Sequence, residues 1–202
     1  MKKILLVLVI LGLTTAVFAQ NVALTGHLST GSSGVSPSIG AAFDMGTLDI
    51  LAEIEFAMRR YTNYIGEPNE RTSTTWLLGI YAGVAPKVEM TERLTLSVPI
   101  LVKFIYSAYG RKFKDSSWYT LGGDKDWSYN TLGIDAGARA YYALSQKWSV
   151  FMGFQAAVIT YIGETEGNEW VSGGGTIKWK SADSELLFFH TGTIDLGVKF
   201  SF

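Results

Sequence analysis

The chain contains no cysteine among its 202 residues. Disulfide bonds, thiolate metal sites, a cysteine nucleophile and a lipid anchor on cysteine are therefore excluded. Charged residues are also scarce, at 17% against 48% hydrophobic residues, and this composition excludes a disordered chain. The formal net charge is −1, so the chain lacks the basic excess that favours nucleic acid, and no nucleic-acid partner is expected.

Long hydrophobic runs are missing beyond the N-terminus. There, two lysines precede an apolar run over residues 4–13, and small residues lead to residue 19. This order is typical of a secretory signal peptide, so we predict a cleaved signal at residues 1–19 and a mature domain at residues 20–202. A retained N-terminal anchor is the alternative, but the run is shorter than the roughly 20 residues that a spanning helix needs.

Alternation of apolar and polar residues dominates the remaining sequence. Ile194, Leu196, Val198, Phe200 and Phe202 alternate with polar residues or glycine, which is the period of a β-strand with two different faces. Working backwards from this segment, the same period predicts seven further strands. They lie near 147–163, 129–144, 93–108, 74–86, 47–60, 35–45 and 21–30.

The last six of these strands separate charge from apolar surface. No even-numbered position in them is charged, and Thr160 is the plainly polar member of that face. The odd-numbered face carries the charged residues, with Tyr81, Tyr141, Tyr161 and Gln155 nearby. These are Asp49, Glu53, Glu55, Arg59, Lys103, Asp135, Arg139, Asp195 and Lys199. One face of the strands must therefore meet a medium that excludes charge.

Two architectures fit this separation, a soluble barrel or sandwich with an apolar interior and a membrane barrel with a polar interior. Three observations favour the membrane barrel. First, glycines recur on the charged face, where a crowded lumen needs small residues. Second, the segments are long enough to cross a bilayer. The apolar face also ends in aromatic residues, as at the two interfaces of a membrane, namely Trp76, Tyr106 and Phe188 at one rim and Tyr142, Trp148 and Phe202 at the other. We predict an all-β fold, an eight-stranded antiparallel up-and-down transmembrane β-barrel.

The lengths of the connections predict the orientation of the barrel. Short turns fall near Asp44–Thr47, Pro86–Arg93 and Ser145–Lys147. The opposite side carries one short link, Thr30–Gly34, and three long loops, Tyr61–Ser73, Tyr109–Ser128 and Glu164–Glu185. Short periplasmic turns and long external loops are typical of these barrels, so both termini are expected in the periplasm of a diderm bacterium.

The signal peptide, the eight amphipathic strands and the terminal segment Gly197 to Phe202 together resemble the small outer-membrane barrels of the OmpA, OmpX and OmpW type. The resemblance covers the whole mature chain and implies a barrel in the bilayer of the cell outer membrane. We expect this barrel to be a monomer. It further implies that Phe200 and Phe202 belong to the signal by which the outer-membrane barrel assembly machinery recognises its substrates. The resemblance is specific for architecture and carries little about function.

The charged residues of the odd-numbered face nearly balance, with five acids against four bases. An eight-stranded barrel has an interior just wide enough to be filled by side chains, and unpaired charges there would cost several kcal/mol each. We therefore predict a paired network that plugs the lumen. A narrow polar pathway, which would make the protein a passive porin-like or OmpW-like conduit for small molecules, is the alternative.

An enzyme is the third hypothesis. His27 and Ser29 lie two residues apart on one face, and Glu53 or Glu55 could approach from another strand to complete a nucleophile–base–acid set. His27-Leu28-Ser29 is similar to the motif of PagL-type lipid A deacylases, but Thr30 stands where their asparagine is expected. No catalytic residue is assigned on this evidence. No metal-ligand cluster or phosphate-binding motif is found, and no cofactor is expected.

The long loops combine aromatic and basic residues, which suits a contact surface for lipopolysaccharide, lipid or a host surface partner. The contact candidates are Arg111, Lys112, Trp118, Trp127, Trp170, Lys178, Trp179 and Lys180. Alternatively, residues 169–171 and 176–180 extend the last two strands above the membrane, and both interpretations can hold together. We therefore expect a surface-interaction or envelope-structural role through the extracellular loops.

Overall fold

A computed structural model describes residues 21–31, 34–63, 65, 70–113, 125–171, 175–181, 184–189 and 191–202. The predicted signal peptide at residues 1–19 lies outside these ranges. The described residues form strands β1 (Val22–Gly31), β2 (Gly34–Asp44), β3 (Leu48–Asn63), β4 (Arg71–Glu89), β5 (Leu94–Ser97), β6 (Ile100–Phe113), β7 (Lys125–Ala143), β8 (Trp148–Ile162), β9 (Thr165–Val171), β10 (Gly175–Ser181), β11 (Glu185–Phe188) and β12 (Gly192–Ser201). No helix in these ranges is long and apolar enough to cross a membrane.

The strands close into a ring. Antiparallel pairing runs from β1 through β2, β3, β4, β6, β7 and β8 to β12, and β12 returns to β1 over Ala23↔Ser201 to Thr30↔Ile194. β5 and β6 share one register on β4 and act as a single barrel strand, which is interrupted at Pro99 because proline has no N–H to donate. β11 and β12 likewise both pair with β8. The predicted eight-stranded antiparallel barrel is confirmed.

The two ends of the barrel differ. The end that holds residues 21 and 202 has the short connections 45–47, 90–93 and 144–147, and we call it the short-turn end. At the opposite end, the hairpin end, several strands run past the predicted boundaries. β4 begins at Arg71 instead of residue 74, and β7 begins at Lys125 instead of residue 129. Cross-strand pairs such as Asn63↔Arg71 and Arg111↔Lys125 hold these extensions together.

The outward face of the barrel is apolar and exposed. Large apolar side chains on this face are between 51% and 54% exposed, among them Ile54, Val102, Leu132 and Leu196. The six aromatic residues predicted at the rims all point outward and are 39% to 68% exposed; they are Trp76, Tyr106, Phe188, Tyr142, Trp148 and Phe202. A continuous apolar belt with aromatic borders matches the hydrocarbon core and interfaces of a bilayer.

A β-bulge in β8 changes the face of the residues beyond it, among them Thr160 and Tyr161. The pairing with β7 shifts between Ile134↔Ile159 and Asp135↔Ala157, so one residue of β8 is left over and the alternation reverses beyond it. Thr160 therefore points into the barrel and is 2% exposed, whereas Tyr161 points outward and is 45% exposed. The predicted faces of these two residues were wrong, and the bulge removes the polar exception from the apolar face.

Glycine on the inner face allows the strands to approach closely. A Cβ atom on Gly137 would lie 2.2 Å from the carbonyl oxygen of Phe154 and 2.9 Å from the Cα of Gln155. Both of those atoms are backbone, so no rotation of a side chain can relieve the contact. A side chain at this position therefore requires the wall of the barrel to move.

We expect Gly137→Val to destabilise the barrel by at least about 1–3 kcal/mol, the range for overpacking of a filled interior. The measurement is the fraction of folded protein that migrates fast on unheated denaturing gels along a urea series. Gly26→Ala is the control, because nothing lies within 4 Å of a Cβ at Gly26. Equal urea midpoints for the two variants would contradict the close approach.

Candidate functional site

The predicted lumen residues surround Arg139, whose side chain is 1% exposed. Its guanidinium donates two hydrogen bonds to the carboxylate of Glu53, from Nη1 to Oε1 at 2.5 Å and from Nη2 to Oε2 at 3.1 Å. Nη2 also lies 3.4 Å from Oδ2 of Asp195. Arg139 is on β7, Glu53 on β3 and Asp195 on β12, and neither β3 nor β12 pairs with β7. The ion pairs therefore cross the interior of the barrel.

Hydrogen bonds carry this network to other strands. Asp195 accepts a bond from Ser29 Oγ at 2.8 Å. Gln155 lies 3.5 Å from Nη2 of Arg139 and donates to Asp135 at 3.2 Å, and Asp135 pairs with Lys103 Nζ at 2.6 Å. One connected set of polar groups thus joins β1, β3, β6, β7, β8 and β12. A filled, hydrogen-bonded interior of this kind is what buried charges require in order to be stable.

A second ionic cluster lies nearer the short-turn end. Asp49 is shared by two lysines, with Lys87 Nζ at 2.7 Å from Oδ1 and Lys199 Nζ at 3.1 Å from Oδ2. Lys87 also pairs with Asp44 at 2.7 Å. Lys87 was not among the predicted residues of the charged face, because the predicted strand stops at residue 86. Its odd number on β4 is the signal that would have placed it on the charged face.

Glu55 and Arg59 do not join these ion pairs. Glu55 accepts hydrogen bonds from the hydroxyl groups of Ser36 and Tyr81. Arg59 is exposed and lies on the part of β3 beyond its last residue paired with β2, which is Glu55. The predicted charged face thus divides into a paired interior and, at the hairpin end, a cation outside it.

The serine and histidine considered for an enzyme are both inside the barrel. Ser29 donates directly to Asp195, and histidine does not stand between the hydroxyl group and the carboxylate. Nδ1 of His27 is buried without a hydrogen-bond partner in the described residues, and the ring packs edge-on against Phe151 at 5.7 Å. This arrangement lacks the serine–histidine contact that would activate the hydroxyl group. The described residues also contain no group of three or more His, Asp or Glu side chains that could hold a metal ion.

Most of the contact candidates that were predicted in the long loops lie on strands. At the hairpin end β3, β4, β6, β7, β9 and β10 continue in this order as one sheet, over residues 57–63, 71–75, 108–113, 125–128, 165–171 and 175–181. We call this the protruding sheet. Among the contact candidates, Arg111 and Lys112 lie on β6, Trp127 on β7, Trp170 on β9, and Lys178, Trp179 and Lys180 on β10; Trp118 lies outside the described residues. The predicted extension at residues 169–171 and 176–180 is therefore present only in part: these residues form a hairpin of β9 and β10, but β10 pairs with β9 alone and does not continue the last strand, β12.

Two of the candidate tryptophans pack within the protruding sheet. Trp127 stacks on Tyr109 with ring centroids 3.8 Å apart. Trp179 is half-buried against Gly167, where a Cβ atom would lie 2.7 Å from the indole ring. Both tryptophans continue the inner face of the barrel, because Trp127 alternates in step with Thr131 and Asp135. Their role in this structure is to hold the sheet together.

The opposite, outward face of the protruding sheet is concave. A groove of about 1270 Å³ is lined mainly by residues of this face, from all six strands, and residues of the inner face such as Trp127 and Trp179 also contribute to it. One complete cross-strand row of lining residues consists of Met58, Trp76, Ala108, Ser128, Glu166 and Lys180, and the next row consists of Arg60, Thr74, Gly110, Asp126, Asn168 and Lys178. We call this surface the outer groove. Hydrogen bonds from Lys180 to Glu164 and Glu166 raise the pKa of that lysine above its ordinary value.

Two edges of the protruding sheet have no neighbouring strand in the part of the chain that the structure describes. β2 pairs with β3 only as far as Ser38↔Glu55, which leaves residues 56–63 of β3 unpaired on that side. β10 pairs with β9 alone. The hairpin of β1 and β2, which ends at Gly31↔Gly34, is too short to bridge these edges. Unpaired N–H and C=O groups at such edges can accept another strand.

Removal of the central cation should destabilise the barrel. We expect Arg139→Ala to lower the free energy of unfolding by about 3–5 kcal/mol, because Glu53 and Asp195 would remain buried without their partner. Urea unfolding in detergent micelles, followed by the gel-mobility shift, measures the change. The exposed Lys178→Ala is the control and should change the stability by less than about 0.5 kcal/mol. Equal stabilities of the two variants would show that the network is not needed for folding.

Comparisons with known proteins give a likeness in structure. No protein-family model and no curated protein sequence matches the chain. The crystal structure of a major outer membrane protein from Thermus thermophilus superposes with a TM-score of 0.67 at 12% identity, over 90% of this chain and 98% of that chain. The matches also include Ail, the attachment invasion locus protein of Yersinia pestis, with a TM-score of 0.43 at 9% identity over 90% and 97% of the two chains. The chain thus has the fold of the small outer-membrane β-barrel proteins.

Proposed function

We propose that this protein is a monomeric barrel of the outer membrane that acts at the cell surface through its protruding sheet. In this proposal the hairpin end faces outward and both termini face the periplasm. The observation that carries it is the contrast between the two parts of the molecule. Within the belt the barrel interior is occupied by ion pairs centred on Arg139. Beyond the belt six strands present a groove and two edges that are unpaired among the described residues.

The exposed edge of β10 suits a protein partner that adds a strand. Main-chain hydrogen bonds would give the contact its affinity, and alternate side chains of β10 would give it specificity. Lys178 and Lys180 lie on one face of this strand, and Ile177 and Trp179 lie on the other. A partner with an extended acidic and apolar segment therefore fits this edge.

The ends of the chain serve export and assembly in the same proposal. Residues 1–19 would direct secretion and be removed. Phe200 and Phe202 pack together at 5.2 Å beside Trp148 at the short-turn end, and Phe202 is 68% exposed. This exposed aromatic end of the last strand would be recognised by the barrel assembly machinery.

The orientation can be tested with single cysteines, since the chain has none of its own. We expect Lys178→Cys to react with a membrane-impermeant maleimide on intact cells, because β10 would lie outside. Glu92→Cys, in a turn of the short-turn end, should react only after the outer membrane is permeabilised. The reverse pattern would contradict the orientation.

Attachment tests the surface role. We expect cells that display the protein to bind plates coated with an extended peptide of alternating acidic and apolar residues, and a variant with an Asn-Gly turn in place of residues 165–181 to lose this binding. Because β8 and β11 pair directly over Ile159↔Phe188 to Ile162↔Glu185, the shortened barrel should still fold. Lys178→Ala/Lys180→Ala in the intact hairpin is the matched control, because it removes two charges from β10 and leaves the unpaired edge of that strand in place. Unchanged attachment by the shortened variant would contradict the role of this edge.

Conductance in planar bilayers distinguishes the surface role from the conduit hypothesis. The wild-type protein should show little steady current, because the polar groups of six strands are joined across the interior. Large and regular openings by the wild type would favour a conduit for small molecules over the role proposed here.

A further inference from the structure

The outer groove begins where the apolar belt ends. Trp76 and Tyr106 are belt residues at the rim and also line the groove, so its floor is continuous with the surface that faces lipid chains. Above them the floor is made of small residues, among them Ala108, Gly110 and Ser128. A lipid whose acyl chains lie against the belt would therefore place its headgroup in the groove, because belt and groove floor form one continuous surface.

The charge of the outer groove is unbalanced. Arg60, Lys112 and Lys178 line it, are exposed and have no ion-pair partner among the described residues. Three carboxylates also line the groove. Of these, Glu166 has its Oε1 atom 3.3 Å from Nζ of Lys180, and Glu70 has interactions of its own. Asp126 lies between Arg60 and Lys178 in the second cross-strand row of the groove. Positive charge is therefore in excess and distributed over strands at both sides of the groove.

We propose that the outer groove binds the phosphate-bearing headgroup of a lipid in the surrounding leaflet. Lysine and arginine side chains supply charge and hydrogen-bond donors for phosphate oxygens, and the hydroxyl groups of Thr72 and Thr74 on the floor supply further donors. Aromatic residues at the rim fix the depth at which the acyl chains end. This inference rests on the proposed orientation only for the statement that the leaflet is the outer one. The binding itself does not depend on the β10 edge.

The test uses purified protein in detergent and native mass spectrometry with three probes, dioleoyl phosphatidic acid, dioleoyl phosphatidylcholine and inorganic phosphate. We expect the wild type to retain phosphatidic acid in preference to phosphatidylcholine. Lys112→Ala/Lys178→Ala should weaken phosphatidic acid binding about thirtyfold, the effect of two cations near an anionic surface. Its binding of phosphatidylcholine should remain unchanged.

The control Arg93→Ala/Lys147→Ala removes two exposed cations at the short-turn end and should bind like the wild type. Lys112→Arg/Lys178→Arg should retain binding, which separates charge from any local change in the strands. Equal losses in the groove and control variants, or no loss in either, would overturn the proposal. Displacement of phosphatidic acid by millimolar inorganic phosphate would also overturn it, because the occupant would then be a soluble phosphate. None of these outcomes changes the attachment test, so the two proposals can fail separately.

Discussion

The pairing of charges inside the barrel is the interaction on which the rest of the structure depends. A closed barrel in a bilayer turns its polar faces toward one another, and in a barrel of eight strands there is little room for water to separate them. Arg139 satisfies Glu53 and Asp195 from strands that do not pair with its own. The position of one side chain thus ties the opposite walls together, and Gly137 lets the backbone of the neighbouring strand β8 lie close to β7.

The interior and the exterior of the barrel divide the possible functions between them. Paired charges occupy the interior, so the groups that could recognise another molecule lie beyond the belt. There the strands no longer need a closed ring, since water can satisfy an open edge. The barrel strands therefore continue as a sheet whose inner face is held by aromatic packing, as at Tyr109 and Trp127, and whose outer face is left free.

Alternation along the sequence predicted the barrel because lipid imposes a strict rule on every second residue. The rule fails at β8, where a bulge adds one residue and places Thr160 inside and Tyr161 outside. A bulge leaves no mark in the sequence beyond that single polar exception. Beyond the apolar belt both faces of a strand meet water, so the contrast between faces disappears. For this reason Arg111, Lys112 and Trp127 were predicted in loops although they lie on strands. Inside the barrel, alternation gives the face of a residue but not its partner on a distant strand, so the cross-lumen partners of Arg139 could be grouped but not paired.

The seam between β1 and β12 has a consequence for the order of folding. Once the hairpin of β9 and β10 is set aside, and β5 with β6 and β11 with β12 are each counted as one barrel strand, every other neighbouring pair in the wall joins strands that are consecutive along the chain. Ala23↔Ser201, in contrast, joins the first and the last barrel strand. Closing so long a loop carries the largest entropic cost, so hairpins should zip up in sequence and the seam should form last. Until then β12 has an unpaired edge and an aromatic end, and both are available to a strand other than β1. The slowest step of folding is therefore also the step at which a folding catalyst can bind the C-terminal strand.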